Sequence, residues 1–237
     1  MQPIENKRIP ITEIFVSISG EGSTAGQIVS FVRTAGCNLR CSYCDTKYSY
    51  ETQKELTLNQ IVNKLRKNGC NVVICTGGEP LHGLSQKRNL ALDLAKRGFN
   101  VYVETNGSCN LYDNNEVKDI RHNIHYIVDY KCISSNMNKH DILSENINLL
   151  NTSDEIKFII GNKVDFDDAL NTIKKYKHIL SAKNITCLFG CIFEELNPSD
   201  LVQMLKKENH YFEKEKIKVK MFLQIHKFIW DPQTRGV

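Results

Sequence analysis

The chain has 237 residues, 41% of them hydrophobic and 24% charged, with a formal net charge of +4 at pH 7. That size and balance suit an ordinary enzyme with one substantial core; the densest charged run, 206–220, mixes both signs, reads as a solvated helix end and loop, and makes no case for nucleic-acid binding. No apolar stretch approaches the roughly 20 residues that span a bilayer, and the N-terminal run MQPIENKRIP lacks the basic and apolar blocks of a signal peptide, so no membrane contact and a reducing cytoplasm are expected.

In chain order, apolar β-branched runs predict strands at 28–33, 72–76, 101–104, 125–130, 155–160, 185–189 and 219–225. Helical stretches fall between most of them. Leu58, Ile61, Val62 and Leu65 follow helical spacing, with Thr57 as N-cap and Gly69 as the stop. Leu90, Ala91, Leu94 and Ala95 repeat the pattern after Ser85 and end at Gly98. Further helices are expected near 139–150, 165–178 and 199–209. The alternation implies right-handed βαβ crossovers and a parallel sheet. About six such units are too few to close an eight-stranded barrel. The predicted fold is therefore α/β, a partial, open parallel β/α barrel. No linker, repeat or low-complexity segment divides it, so residues 1–237 read as a single domain.

Three of the nine cysteines stand in one short run, Cys37, Cys41 and Cys44, spaced C-x3-C-x2-C and followed by Asp45 and Thr46. Three thiolates on a loop can hold three irons of a [4Fe–4S] cluster, because cluster iron prefers soft sulfur ligands. No fourth cysteine stands in register, so one iron keeps an open position, as in a catalytic rather than a structural metal site. An open iron that binds and reduces a small molecule is the mark of a radical S-adenosylmethionine enzyme. A zinc site would need a fourth ligand such as histidine, and none lies within about thirty residues of Cys44. The remaining cysteines sit mostly in apolar runs and read as small buried hydrophobes. Cys187 and Cys191 lack the third thiol a second cluster would want.

In a barrel of this kind chemistry gathers at the C-terminal ends of the strands, and the polar motifs fall there in succession. They are Arg33 with the cysteine loop, Thr76-Gly77-Gly78-Glu79-Pro80, Glu104-Thr105-Asn106-Gly107, Asp129-Tyr130-Lys131 with Ser134-Ser135, and His226 on the last expected strand. The Gly77-Gly78 turn lets backbone approach a ligand closely, and a carboxylate beside it suits an ammonium group. Standing alone, the same turn would read as a plain loop carrying a solvated glutamate.

Several stretches together resemble the 7-carboxy-7-deazaguanine synthase family. They are Phe15–Gly22 with its Gly20-Glu21-Gly22, Phe31-Val32-Arg33, Gly36–Cys41, Cys44-Asp45-Thr46, Thr76–Leu81, 103–107, Asp129–Lys131, 155–158, and Gln224–Trp230 with Arg235-Gly236-Val237. The resemblance runs from about residue 10 to the last residue. It implies a radical SAM core that converts 6-carboxy-5,6,7,8-tetrahydropterin to 7-carboxy-7-deazaguanine with release of ammonia, on the way to queuosine and related deazapurines. It implies Cys37, Cys41 and Cys44 as cluster ligands, and Tyr43, Cys44, Asp45, Gly78, Glu79, Ser134 and Ser135 along S-adenosylmethionine. Thr46 would bind a magnesium ion, which commonly takes only one or two protein ligands.

Substrate contacts would come from Ile18, Ser19, Gly20, Arg33, Thr76, Glu104, His226 and Val237. Arg33 can clamp a carboxylate with two parallel hydrogen bonds, and Glu104 can accept from the pterin amino edge. The hard chemistry belongs to the cofactor, so no side chain is assigned a catalytic role. Family members commonly carry Gln where this chain has Ser19. A low-potential electron donor such as a flavodoxin and a homodimeric state are also implied. Two other readings stay open: a glycyl-radical-enzyme activase, whose Asp-x-Lys signature Asp129-Tyr130-Lys131 matches, and a non-enzymatic iron–sulfur or zinc module.

Overall fold

The structure, a computed structural model, describes residues 7–51 and 54–237. It begins with β1 (Arg8–Ile18), β2 (Ile28–Thr34), β3 (Lys54–Thr57), α1 (Leu58–Asn68), β4 (Val72–Gly77), α2 (Ser85–Arg88), α3 (Leu90–Lys96) and β5 (Asn100–Thr105). There follow α4 (Asn114–Val117), β6 (Ile124–Tyr130), α5 (Leu143–Asn146), β7 (Glu155–Ile160), α6 (Lys163–Ala182), β8 (Thr186–Cys191), α7 (Pro198–Lys214), β9 (Lys218–Met221) and α8 (His226–Ile229). The strands form one nine-stranded sheet in the order β3-β1-β2-β4-β5-β6-β7-β8-β9. From β2 to β9 every neighbouring pair is parallel. The two edges, β3 and β9, do not pair with each other, so the barrel is open.

Each parallel strand divides its residues between two faces, as period-two geometry requires. Val73 and Cys75, Val101 and Val103, Tyr126 and Val128, Ile156 and Phe158, and Cys187 and Phe189 all join the main apolar core, which also holds the helix faces. The opposite parity carries Arg33, Thr76, Glu104, Asp129 and Lys157, which line a cavity. One side of the sheet is thus oil and the other is charge. Helix α1 shows how local sequence serves this plan. Its buried stripe is Leu58, Ile61, Val62 and Leu65, Thr57 and Gln60 form a reciprocal capping box, and Gly69 closes it at φ 76°.

Two strands lie outside the sequence expectation, β1 and β3; β1 pairs antiparallel with β2, and β3 pairs antiparallel with β1. The apolar alternation of β1 is interrupted because its register shifts between Ile11 and Glu13. A bulge of this kind flips parity. Ile9 and Ile11 therefore face the helices, while Glu13 and Phe15 face the cavity side, with Phe15 stacked on Phe31 at 4.9 Å.

Two further expectations are corrected. The strand expected at 219–225 ends at Met221, and His226 stands on α8 instead. Phe222 turns inward to pack with Ile159, Leu188 and Ile192, and the Gln224 amide reaches Glu21, so the chain leaves the sheet before alternation can continue. The helix expected near 139–150 is broken into short turns around α5. The buried Asn146 is the cause, because its side chain bonds the Cys109 carbonyl and the Leu111 N–H rather than facing outward.

Candidate active site

At the end of β2 the chain leaves the sheet through Gly36, which adopts φ 83°, and its N–H bonds the Ser49 carbonyl at 2.7 Å. The loop so anchored carries Cys37, Cys41 and Cys44, all free and half-buried. Cys37 Sγ accepts from the Leu39 N–H at 3.4 Å and from Asn106 Nδ2 at 3.7 Å. Burial pushes the Cys37 and Cys41 thiols up, and charge on the neighbouring cysteines of the loop pushes both the same way. Among the described residues no three acidic, His or Cys side chains converge on a single-ion site. A cubane cluster does not ask for that, since each thiolate binds a different iron.

Beside this loop, Tyr43 Oη and Asp129 Oδ1 are buried without a hydrogen-bond partner. Both residues line the cavity with Cys41 and Cys44. Three soft thiolates and two orphaned polar atoms fit a cluster with a polar ligand seated on it.

The Gly77-Gly78-Glu79 turn packs against the root of the same loop. A Cβ on Gly77 would stand 2.3 Å from the Thr34 carbonyl oxygen, and one on Gly78 would stand 2.1 Å from that of Gly36. The glycines are needed for this approach whatever else they do. Glu79 corrects the expectation of a carboxylate presented to an ammonium. It is completely buried and accepts from the Leu81 N–H at 3.0 Å, Thr105 Oγ1 at 2.8 Å and the Asn106 N–H at 2.6 Å. Burial raises its pKa against those three donors.

Ser135 is likewise enclosed, its hydroxyl donating to the Cys132 carbonyl at 2.6 Å. Ser134 receives Asn162 Nδ2 on its hydroxyl at 2.9 Å. The two serine carbonyls hold the cysteine loop, accepting from the Ser42 hydroxyl at 2.5 Å and the Ser42 N–H at 3.1 Å. Gly78, Glu79, Ser134 and Ser135 thus stand behind the cysteine loop, whereas Tyr43, Cys44 and Asp45 face the cavity.

That cavity encloses about 860 Å³ and is lined by Ile18, Ser19, Gly20, Arg33, Thr46, Thr76, Glu104, His226 and Val237 among others. All eight residues expected to meet the substrate, and Thr46, are therefore brought together. Arg33 and Thr76 are register partners on β2 and β4. Cys75 pairs with Val103, which sets Thr76 level with Glu104 on β5. The three form one row across adjacent strands.

Glu13 holds Arg33 Nε at 2.7 Å, and the guanidinium lies against the rings of Phe15 and Tyr48. Its terminal nitrogens have no hydrogen bond among the described residues. Burial raises the Glu104 pKa; Lys157, the Thr76 hydroxyl and Arg33 oppose the rise, and Glu21 reinforces it. His226 is packed so that a Cβ on Gly20 would stand 2.3 Å from its Nδ1, and burial lowers its pKa, which favours the neutral ring.

Ser19 is shaped by its own hairpin. Its hydroxyl pairs with Thr24 Oγ1 at 2.7 Å, and its N–H and carbonyl bond Gln27 and Gly26. Thr46 is the residue before a 3-10 turn at Lys47–Tyr50, but its hydroxyl makes no cap. It donates to Asp45 Oδ1 at 2.9 Å. Lys227 pairs with the other Asp45 oxygen at 3.2 Å.

Sequence reasoning missed the charges beneath this row. Lys157 Nζ lies 2.8 Å from Glu21 Oε2 and 3.8 Å from Asp129 Oδ2, which Lys131 holds at 2.7 Å. Burial would raise Glu21, but Lys157 and the amide of Gln224 hold its carboxyl below the usual range. The signal was present, since a lysine in the middle of Glu155-Ile-Lys-Phe-Ile-Ile is costly unless paired. Cys187 is buried on β8, and Cys191 lies roughly 13 Å further along that strand, too far to share a cluster.

The family model of the radical SAM superfamily matches residues 31–207. Fold, cysteine loop and match together define a radical SAM enzyme, whose cofactors are a [4Fe–4S] cluster and S-adenosylmethionine. The 7-carboxy-7-deazaguanine synthase of Clostridium acetobutylicum is 35% identical over 233 residues, covering 96% of this chain and 98% of the relative. That of Chlorobaculum tepidum is 34% identical over 229 residues, 96% of each chain. The chain belongs to the 7-carboxy-7-deazaguanine synthase family. The crystal structure of QueE from Escherichia coli shares its fold, with a TM-score of 0.65 at 21% identity over 90% of this chain and 93% of that one. Among the described residues no helix is long and apolar enough to cross a membrane.

Proposed function

We propose that this chain, working as one radical SAM domain, converts 6-carboxy-5,6,7,8-tetrahydropterin to 7-carboxy-7-deazaguanine and ammonia for queuosine and other 7-deazapurines. The observation that carries the reading is the row Arg33, Thr76, Glu104. It sets a cation and a carboxylate two strand spacings apart, roughly 9–10 Å between backbones, comparable to the long axis of a bicyclic pterin with a carboxylate at one end. Arg33, fixed through Nε by Glu13, offers its terminal nitrogens to that carboxylate. Glu104 accepts from the 2-amino and ring N–H edge, and Lys157 favours the ionised form this needs. Neutral His226, the hairpin at Ile18 to Gly20 and Val237 complete the enclosure, and the apolar group of Ile159, Ile192 and Tyr43 excludes water.

Cys37, Cys41 and Cys44 hold the cluster, which together with S-adenosylmethionine supplies reversible hydrogen-atom abstraction. Tyr43, Cys44 and Asp45 line the cofactor directly; Gly78 and Ser134 reach it through backbone, with Glu79 and Ser135 bracing them. The oxygens of Thr46 and Asp45 are the hard donor set that magnesium takes, with substrate and water completing its shell. A low-potential reductant such as a flavodoxin, a cytoplasmic setting that keeps the thiols reduced and a homodimer complete the reading; the exposed apolar run of Phe228 and Ile229 at the end of α8 with Trp230 just after it supports the last.

The test is anaerobic reconstitution followed by incubation with S-adenosylmethionine, dithionite, magnesium and the pterin. The deazaguanine should appear in the chromatogram. 5′-Deoxyadenosine formed without it would point to a glycyl-radical activase instead.

A further inference from the structure

Lys87 is the most buried lysine among the described residues, at 3% exposure, and it lies outside the cavity. From α2 its Nζ donates to the carbonyl oxygens of Ala35 and Gly36, both at 2.8 Å. The Gly36 carbonyl also accepts from the Glu79 N–H at 3.0 Å. The peptide that enters Cys37 is therefore gripped by an ammonium and an amide. Glu79 balances the Lys87 charge through space while its own carboxylate is taken by three other donors. Packing alone does not explain the residue. A methionine of similar length would fill the same volume without the cost of desolvating a charge.

We propose that Lys87 is a positioning residue that raises the reduction potential of the cluster, by clamping the Ala35–Gly36 carbonyls and fixing one positive charge beside the Cys37 peptide. The proposal rests on the cluster reading above. Reduction passes one electron from the donor to the cluster and leaves it one unit more negative. A fixed cation in a poorly screened site favours that state.

The experiment compares wild type with Lys87→Met, Lys87→Gln and Lys87→Arg after anaerobic reconstitution. Iron content is measured, and the midpoint potential is taken from a dithionite titration followed by electron paramagnetic resonance. Lys87→Met and Lys87→Gln should shift the oxidised-to-reduced ratio at fixed potential about tenfold toward the oxidised form, or about 59 mV for a one-electron couple. Lys87→Arg should retain the wild-type midpoint. If Lys87→Met does not fold, Lys87→Gln, which keeps a donor nitrogen while losing the charge, decides the matter. Neutral variants whose clusters show the wild-type midpoint, even at reduced iron content, overturn the proposal, as does an arginine variant shifted like the methionine one. A wild-type chain that takes up no cluster would overturn the underlying reading instead, and the wild-type iron measurement tells the two failures apart.

Discussion

Replacing Lys157 with methionine removes the lysine that, among the described residues, pairs with both Glu21 and Asp129 on the cavity floor. Its ammonium is 9% exposed as a residue and lies 2.8 Å from Glu21 and 3.8 Å from Asp129. Taking one partner from a buried pair leaves the other charge uncompensated, which costs about 3–5 kcal/mol. In a chain of this length each kcal/mol lowers Tm by about 2–4 °C, so the variant should melt about 6–20 °C early near neutral pH.

The pH dependence carries the finer test. In the wild type Glu21 is held below the usual carboxylate range, so its contribution is present above the unfolded pKa and is lost as pH falls. In the variant, burial without Lys157 pushes Glu21 up and Glu104 further up. Both then bind protons more readily folded than unfolded, and acid favours the variant's folded state. The deficit against wild type should be widest near about pH 8 and should narrow toward about pH 5. Thermal unfolding followed by circular dichroism under anaerobic conditions measures it. A deficit that is small, or that stays constant across that range, refutes the account of Lys157 as the charge that balances the floor.

Alanine at Cys37, Cys41 or Cys44 should abolish the brown chromophore and 5′-deoxyadenosine formation together, while Cys187→Ser and Cys191→Ser should change neither, as iron analysis and absorbance will report. Glu104→Gln should raise the pterin KM by about 10-fold to 100-fold, the loss of a charged hydrogen bond, with S-adenosylmethionine affinity unchanged in a binding assay. Thr46→Ala should still bind S-adenosylmethionine but turn over slowly and depend less steeply on added magnesium, since its hydroxyl makes no cap to be lost. Residues appended after Val237, which lines the cavity, should raise KM or abolish turnover; equal kcat/KM for a chain so extended would count against a closed tail.

The parallel core was legible because its strands are nearly continuous apolar runs between well-signalled helices, and β7 matches its expected span residue for residue. The cavity row was legible because Arg33, Thr76 and Glu104 end those runs. What escaped reading depends on contacts that no local pattern records. The bulge at Ile11 to Glu13 splits the alternation of β1 into two shorter phases. The turn after Met221 is set by where Phe222 and Gln224 find partners, far away in sequence. Glu79 sits in a motif that suggests ligand binding, yet its carboxylate is consumed by the loop around Thr105 and Asn106. Lys157 was written plainly in β7, but its meaning depends on Glu21, which only the hairpin brings across.

That crossing sets the order in which the molecule can be assembled. Glu21 meets Lys157 across 136 positions, Ser23 meets Glu155 across 132, and Gln224 meets Glu21 across 203. The grip of Ser49 on Gly36 spans only a short loop by comparison. Synthesis proceeds from the N-terminus, and distant contacts wait on a costly loop closure. The grip of Ser49 on Gly36 therefore closes early, while the floor must await Gln224. A ribosome-bound intermediate displays its thiols above an unfinished pocket, and a chain cut short before Gln224 keeps the metal-binding loop without the Gln224 anchor beneath it.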